Sequence, residues 1–243
     1  MKLGVNVDHV ATLRQARLPV GRQEAILFTD PVQAALISEK SGAHSIVMHL
    51  REDRRHIQDA DLFRAKKEIS IKLNMEMSIA PSIVQAALKL KPDQVTLVPE
   101  KRLERTTEGG LNLFKKTNYI RHCIDRMKSR GIVCSLFIDP DRRQVEMAKK
   151  LQADAVEFHT GDYANQTTVG GAKKELRRLN DAVILARAMQ ITPHAGHGLD
   201  YKNVQALKKI RGIEELNIGY AIVTRAVWVG LDQAVREMLR LIR

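Results

Sequence analysis

Side chains able to move protons or hold anions recur in this sequence at the ends of short apolar runs. Asn6 and Asp8 stand two apart, as do His49 and Arg51, Asn74 and Glu76, and Glu157 and His159. Residues two apart on a strand share a face, so four such pairs at the same end of four strands describe one shared mouth. A single polar pair at a strand end means little, because strands stop where solvent begins. Four in phase carry the reading. His194 and His197 follow a seventh apolar run, and Gly219 an eighth. Histidine titrates near neutrality unassisted, and a carboxylic acid such as Glu76 joins it when burial raises its pKa. His49, Glu76 and His197 therefore form a proton-transfer set. Arg17, Arg51 and His56 supply anion grips. The loops "TTEGG" (Thr106–Gly110), "AGHGL" (Ala195–Leu199) and "NIGYAIVTRA" (Asn217–Ala226) add small backbone, and the last of them leads into a helix N-terminus that favours anions. Two phosphate pockets around acid–base groups suit imine formation, enolisation, aldol closure or dehydration on phosphorylated carbonyl compounds.

The elements that must position these groups alternate between short β-rich runs and longer segments of helical periodicity. The strand candidates are Leu3–Val7, Ser45–His49, Ile71–Glu76, Gln94–Val98, Ile132–Ile138, Ala155–His159, Ile191–His194 and Glu215–Ile218. "DPVQAALISEKSGA" (Asp30–Ala43) reads as a helix with Asp30 as cap, Pro31 in the first turn and Gly42 at the end. "DPDRRQVEMAKKLQA" (Asp139–Ala153) repeats the theme, with Asp139 as its cap. A last helix from about Ala221 to the C-terminus carries Val227, Leu231, Val235, Met238 and Leu239 on one side. Eight strand–helix units in 243 residues predict an α/β protein, a single (β/α)₈ TIM barrel domain over residues 1–243 with extra helical and loop segments. An open doubly wound sheet usually needs fewer strands. The longest irregular stretches are Leu18–Thr29 and Pro99–Thr117.

Composition sets outer limits. The chain is 44% hydrophobic but only 4% aromatic, so its core rests on Val, Ile, Leu, Ala and Met. Lys and Arg exceed Asp and Glu by 40 to 28, a net charge of +12 that suits acidic partners of any kind. Cys123 and Cys134 lack metal spacing and read as reduced thiols. Asp8 and His9 interrupt any signal-peptide core, and no run spans a bilayer, so a soluble cytoplasmic protein without membrane contact is the expectation. His44 and His122 read as solvated or helix-end histidines, and Arg54 and Arg55 as solvated arginines. Glu100, in "VPEKR", reads as a structural acid, either beside Lys101 or Arg102 or in an ordinary loop.

The chain resembles the pyridoxine 5′-phosphate synthase family. The resemblance is carried by "LGVNVDHVATLRQAR" (Leu3–Arg17), "HLREDRRHI" (His49–Ile57), "NMEM" (Asn74–Met77), "LVPEKR" (Leu97–Arg102), "TTEGGL" (Thr106–Leu111), "SLFIDPD" (Ser135–Asp141), "EFHTG" (Glu157–Gly161), "AGHGL" and "ELNIGYAI" (Glu215–Ile222), which run in order along the chain. It implies a (β/α)₈ barrel that joins 1-deoxy-D-xylulose 5-phosphate to 3-amino-2-oxopropyl phosphate, without metal or organic cofactor, in a cytoplasmic homo-octamer. By motif position it implies His49 and Glu76 as proton acceptors, His197 as proton donor and Glu157 as a transition-state stabiliser. Asn6 and Arg17 fall where the amino-oxopropyl phosphate is held. Asp8, His9, Arg51, His56 and Thr106 fall where the deoxyxylulose phosphate is contacted. Gly198, Gly219 and Tyr220 fall at the second substrate's phosphate. This chain departs from the family in having Tyr220 where histidine is usual, Thr224 for a smaller residue, His194 for a frequent asparagine, and a longer segment after Arg17. The charges Glu52, Asp53, Arg54 and Arg55 should hold their loop in shape through mutual ion pairs.

Two other readings compete. A metal-dependent barrel hydrolase would draw ligands from Asp8, His9, His49, His194 and His197, but adjacent Asp8 and His9 point to opposite faces of a continuing strand. A nucleic-acid-binding protein would explain the positive charge, but the basic residues are dispersed, and no binding motif or aromatic platform accompanies them.

Overall fold

Each of the eight apolar runs becomes a parallel strand, and the strands close on themselves. The computed structural model describes residues 1–16, 29–100 and 109–243. In chain order the elements are β1 (Lys2–Asn6), α1 (Asp8–Gln15), α2 (Pro31–Lys40), β2 (Ser45–Leu50), α3 (Asp59–Glu68), β3 (Lys72–Met77), α4 (Pro81–Leu90), β4 (Gln94–Leu97), α5 (Thr117–Lys128), β5 (Val133–Ile138), α6 (Arg142–Lys150), β6 (Ala155–His159), α7 (Gly161–Ala164), α8 (Val169–Ala188), β7 (Thr192–Gly196), β8 (Glu215–Ile218), α9 (Tyr220–Val229) and α10 (Leu231–Ile242). A 3₁₀ turn at Val204–Lys209 lies between β7 and β8. The strands pair in sequence order, and β8 returns to β1 with Lys2 opposite Glu215. The (β/α)₈ architecture expected from the strand count is the one observed.

Local chemistry explains the helix boundaries. Asp30 accepts the Val32 N–H at 2.9 Å and Pro31 opens α2, satisfying a donor that a helix start would otherwise leave unpaired. α6 is capped by Asp141, which accepts from the Arg143 and Gln144 N–H groups, and not by Asp139 as the sequence suggested. Asp139 instead accepts the Gly110 N–H at 3.0 Å. The expected single C-terminal helix is two, because Gly230 adopts a φ of +80° between α9 and α10. The break turns Val227 out to solvent, away from the buried face formed by Val235, Met238 and Leu239.

Alternation along the strands sorts side chains between two interiors. Outward residues such as Ile46, Met48, Leu50, Leu73, Met75, Met77, Leu136, Phe158 and Leu216 pack against the helices in one contiguous apolar core. Inward residues are largely polar: Ser45, Lys72, Asn74, Gln94, Thr96, Ser135, Glu157, His194, Glu215 and Asn217. Barrels of this kind usually fill that space with branched apolar side chains. Here hydrogen bonds tie it together instead, among them Lys72 Nζ to Glu215 (2.9 Å), Ser45 Oγ to Glu215 (3.0 Å) and Thr96 Oγ1 to Asn74 (2.9 Å).

Candidate active site

The C-terminal ends of the strands open into one cleft of about 1180 Å³, lined by Asn6, Asp8, His9, His49, Arg51, Glu76, Glu157, His197, Gly198, Gly219 and Tyr220 among others. His56 lies beside this lining, with a ligand-capable atom within 4.8 Å of those of Asp8 and His49. Arg17 and Thr106, also expected here, lie outside the described residues. His194 is not at the mouth. It sits lower in the barrel, 3% exposed, and pairs in register with Glu157 on one side and Glu215 on the other. The strand alternation places Gly196, not His194, at the level of the cleft.

Asn6 and Asp8 meet by a route other than the one expected. β1 ends at Asn6 and Asp8 already begins α1, so they are not partners on one strand. Asn6 folds over the turn instead. Its Oδ1 accepts the Asp8 N–H at 2.9 Å, and its Nδ2 donates to Asp8 Oδ2 at 3.0 Å. Asp8 Oδ1 in turn accepts the backbone N–H of His49 at 2.9 Å, which ties α1 to the end of β2.

His49 lies between two carboxylates. Its Nε2 is 3.1 Å from Glu100 Oε1, and its Nδ1 is 4.0 Å from Glu76 Oε2. The two acids differ in their surroundings. Burial, together with the carboxylates of Glu157 and Asp8, pushes Glu76 well above the ordinary glutamate range. Burial also acts to raise Glu100, but hydrogen bonds from His49 and from the Glu52 N–H outweigh it and leave the group below its usual value. Glu157, two residues before the end of β6, is pushed up to about 7 by burial, against the pull of a 2.6 Å hydrogen bond from Asn217 Nδ2. Gly196 lacks a side chain at the point where any Cβ would collide with the Glu157 carboxylate.

His197 occupies a strained position. It is exposed, with φ at +77°, a region that non-glycine residues rarely adopt. Gly198 follows at +78°, and the His197 carbonyl accepts the Thr160 hydroxyl at 2.6 Å. The ring is thereby held 5.0 Å from that of His159, a cleft residue that the proton-transfer set left out. On the opposite wall, Gly219 caps α9, whose first turn carries no acid, so its free N–H groups face the cleft unopposed. Tyr220 stands edge-on to His9 at 5.3 Å between ring centroids, and Thr224 bonds back to the Tyr220 carbonyl at 2.9 Å.

In the loop after β2, Arg55 and Arg51 both pair with Asp53. Arg54 reaches outside the stretch to Asp59 at 2.9 Å, and Glu52 accepts from Ser78 at 3.0 Å. The ion-pair expectation thus holds for Asp53 and its arginines but not for Arg54 or Glu52. The buried pair Arg14–Asp61, at 2.7 Å, went unread in the sequence, although Arg14 lies inside a quoted motif. Arg14 also donates to the His56 carbonyl at 3.1 Å, so it anchors that loop to α1 and α3. Glu100, read as structural, makes a hydrogen bond with the His49 ring at 3.1 Å. Asn217 could have been found by parity, since it stands two before Gly219.

Asp8, His49 and His56 are close enough to hold one metal ion, but the ring chemistry argues for anions. His56 Nδ1 accepts the Ile57 N–H at 2.8 Å. The neutral ring therefore carries its proton on Nε2, which offers a donor rather than a lone pair. Burial lowers the His56 pKa, against the pull of Asp8.

Comparison with known proteins places the chain by fold and by sequence. In fold, the chain is similar to a thiamine phosphate pyrophosphorylase from Pyrococcus furiosus (TM-score 0.63, 14% identity, 99% of this chain and 95% of that one). It is also similar to phosphoribosylanthranilate isomerase from Thermotoga maritima (TM-score 0.61, 12% identity, 100% and 98%). In sequence, it is 48% identical to a pyridoxine 5′-phosphate synthase of Pelodictyon phaeoclathratiforme over 243 residues, covering 100% of both chains. It is 50% identical to the enzyme of that name from Syntrophotalea carbinolica over 240 residues, 99% of this chain and 98% of the relative. Residues 3–243 match the family described as pyridoxal phosphate biosynthesis protein PdxJ, and with that match and relatives near one-half identical end to end, the chain belongs to this family.

Proposed function

We infer that the chain is a pyridoxine 5′-phosphate synthase of vitamin B6 biosynthesis. It condenses 1-deoxy-D-xylulose 5-phosphate with 3-amino-2-oxopropyl phosphate to pyridoxine 5′-phosphate, inorganic phosphate and water. The observation that carries this reading is the set of titratable groups at the cleft centre, His49, Glu76, Glu157 and His197, flanked by anion grips on separate elements. Arg51 and His56 hold the deoxyxylulose phosphate with Asp8, His9 and Thr106. The N-terminus of α9 at Gly219 and Tyr220, with Gly198, Asn6 and Arg17, holds the amino-oxopropyl phosphate. Ring formation removes protons from carbon and nitrogen and expels hydroxyl groups and one phosphate. His49 and Glu76 accept protons. His197 donates to the leaving oxygen, since its exposed ring reaches into the cleft. Glu157, titrating near neutrality, stabilises the cationic character that develops as the imine forms. Tyr220 replaces a usual histidine with a hydroxyl, which still donates a hydrogen bond but offers no positive charge to an anion.

The names of the relatives lend no support to a hydrolase or a nucleic-acid-binding reading. No helix among the described residues is long and apolar enough to cross a membrane. A cytoplasmic location and a homo-octamer are further parts of the proposal, resting on the resemblance alone. Light scattering of the purified protein tests the assembly. The activity is tested by mixing EDTA-treated protein with the two substrates and following pyridine-ring absorbance and phosphate release together. Both signals should rise. If neither rises with folded protein, the reading fails.

A further inference from the structure

We propose that Glu100 is a positioning residue for His49, fixing the imidazole so that Nδ1 is the nitrogen that takes the substrate proton. Two carboxylates meet one ring. Glu100 approaches Nε2 at 3.1 Å and Glu76 approaches Nδ1 at 4.0 Å. A contact of 3.1 Å between a ring nitrogen and a carboxylate oxygen is a hydrogen bond, and an ionised carboxylate only accepts. Glu100 is ionised, because its other oxygen accepts the Glu52 N–H at 3.0 Å and the Arg51 guanidinium lies 3.9 Å away. The proton therefore sits on Nε2, and the lone pair on Nδ1. The gap from Nδ1 to Glu76 is too long for a direct hydrogen bond, so Glu76 does not occupy the Nδ1 lone pair.

The backbone at His49 is fixed from a second side, and another ring neighbours it. The backbone N–H of His49 is held by Asp8 Oδ1 at 2.9 Å, and the His56 ring stands edge-on at 6.0 Å between centroids. Glu100 itself is almost covered, its side chain 4% exposed, so water competes weakly for its oxygens. Acid–His–substrate orders of this kind hold a base in one tautomer and stabilise its protonated form. Nothing in the residue pattern marks the pairing, since the partners are 51 residues apart.

The proposal deepens the synthase reading, and its first test does not depend on that reading. The proton shared by Nε2 and Glu100 should give a low-field imidazole N–H resonance in the ligand-free protein. It should vanish in His49→Ala and in Glu100→Ala, and move upfield in Glu100→Gln, whose amide accepts without charge. Persistence of the resonance in Glu100→Ala overturns the proposal. Should Glu100→Ala fail to fold, an unmoved resonance in the near-isosteric Glu100→Gln has the same force. The second test is kinetic. Glu100→Gln should lower kcat about 10- to 100-fold, with KM for deoxyxylulose phosphate changed by less than about threefold. Added to His49→Ala, it should slow the residual rate no further. A raised KM at unchanged kcat would mean that Glu100 serves Arg51 instead, and additive losses would mean that it acts apart from His49. Either result rejects the assignment. If native protein makes no pyridoxine 5′-phosphate, the synthase reading falls while the resonance still judges Glu100.

Discussion

At the lower end of the barrel, the carboxylate of Glu215 accepts hydrogen bonds from Lys72 at 2.9 Å and Ser45 at 3.0 Å, and Lys72 also reaches Gln94 at 3.2 Å. At the mouth, Glu76 meets the His49 ring at 4.0 Å and shares its surroundings with Glu157 and Asp8. Both acids project inward from neighbouring levels of one barrel. The lower one has a lysine, and the upper one has other acids. A buried ion pair with satisfied hydrogen bonds holds the strands in register. A buried acid among acids has its pKa raised and is a stronger base when ionised, which suits it to accept a proton from substrate. Position relative to Lys72, rather than residue type, separates scaffold from chemistry inside this barrel.

The largest expected effect breaks the upper half of that comparison. Glu76→Gln should lower turnover by about 10³-fold while raising the thermal midpoint, because an amide removes a group that resists ionisation where it sits. Retained turnover with a lower midpoint would make Glu76 scaffold. Next, Lys72→Met should strand Glu215 without its cation and destabilise the fold by about 3 kcal/mol, near the lower end for broken buried pairs because Lys72 is part-exposed. A urea titration with an unshifted midpoint would show that Lys72 does not hold the lower end together.

Stability against pH sharpens the contrast. Burial pushes His194 down to about 4 from 6.5, with Lys72 adding to the effect and Glu215 opposing it. The unfolded chain then binds more protons between those values. The fold should therefore lose roughly 2–3 kcal/mol as pH falls from about 6.5 to 4. Glu157 behaves in the opposite sense. Its folded value of about 7 lies above the ordinary 4.5, so it favours the fold at low pH and withdraws that support as pH rises through this window. Urea midpoints measured across pH should show His194→Asn flattening the acid side and Glu157→Gln the neutral side. The smallest effect belongs to the rim. Arg55→Ala removes an exposed partner of Asp53 and should leave the urea midpoint unchanged within error, since exposed pairs contribute little.

Much of this was legible in the sequence where it rests on neighbours along the chain. Short β-rich runs located all eight strands. The expected β7, Ile191–His194, was displaced, since the strand observed is Thr192–Gly196. Ala195 and Gly196 have poor strand propensity, yet the second must be glycine to clear Glu157. The caps were legible in kind but missed by two residues at Asp139, because the sequence offers two aspartates around Pro140. Parity brought His49, Glu76 and Glu157 to one mouth and would have added Asn217. It misplaced His194, where the strand was taken to end too early. Glu100 and Arg14 were missed because their partners lie 51 and 47 residues away.

The amino-acid sequence by itself determined the eight strand–helix units, the shared face of His49, Glu76 and Glu157, the helix start at Asp30 and, through long shared motifs, the family. Those features follow from φ/ψ preferences and hydrogen bonds within a few residues. Only the tertiary structure decided which acids are pushed above or below their ordinary pKa and which nitrogen of His49 meets Glu100. Barrel closure brings Lys72 to Glu215 across 143 residues, and Asn217 to Glu157 across 60. The charge state of a buried group is set by what lies within a few ångströms, whatever its distance along the chain.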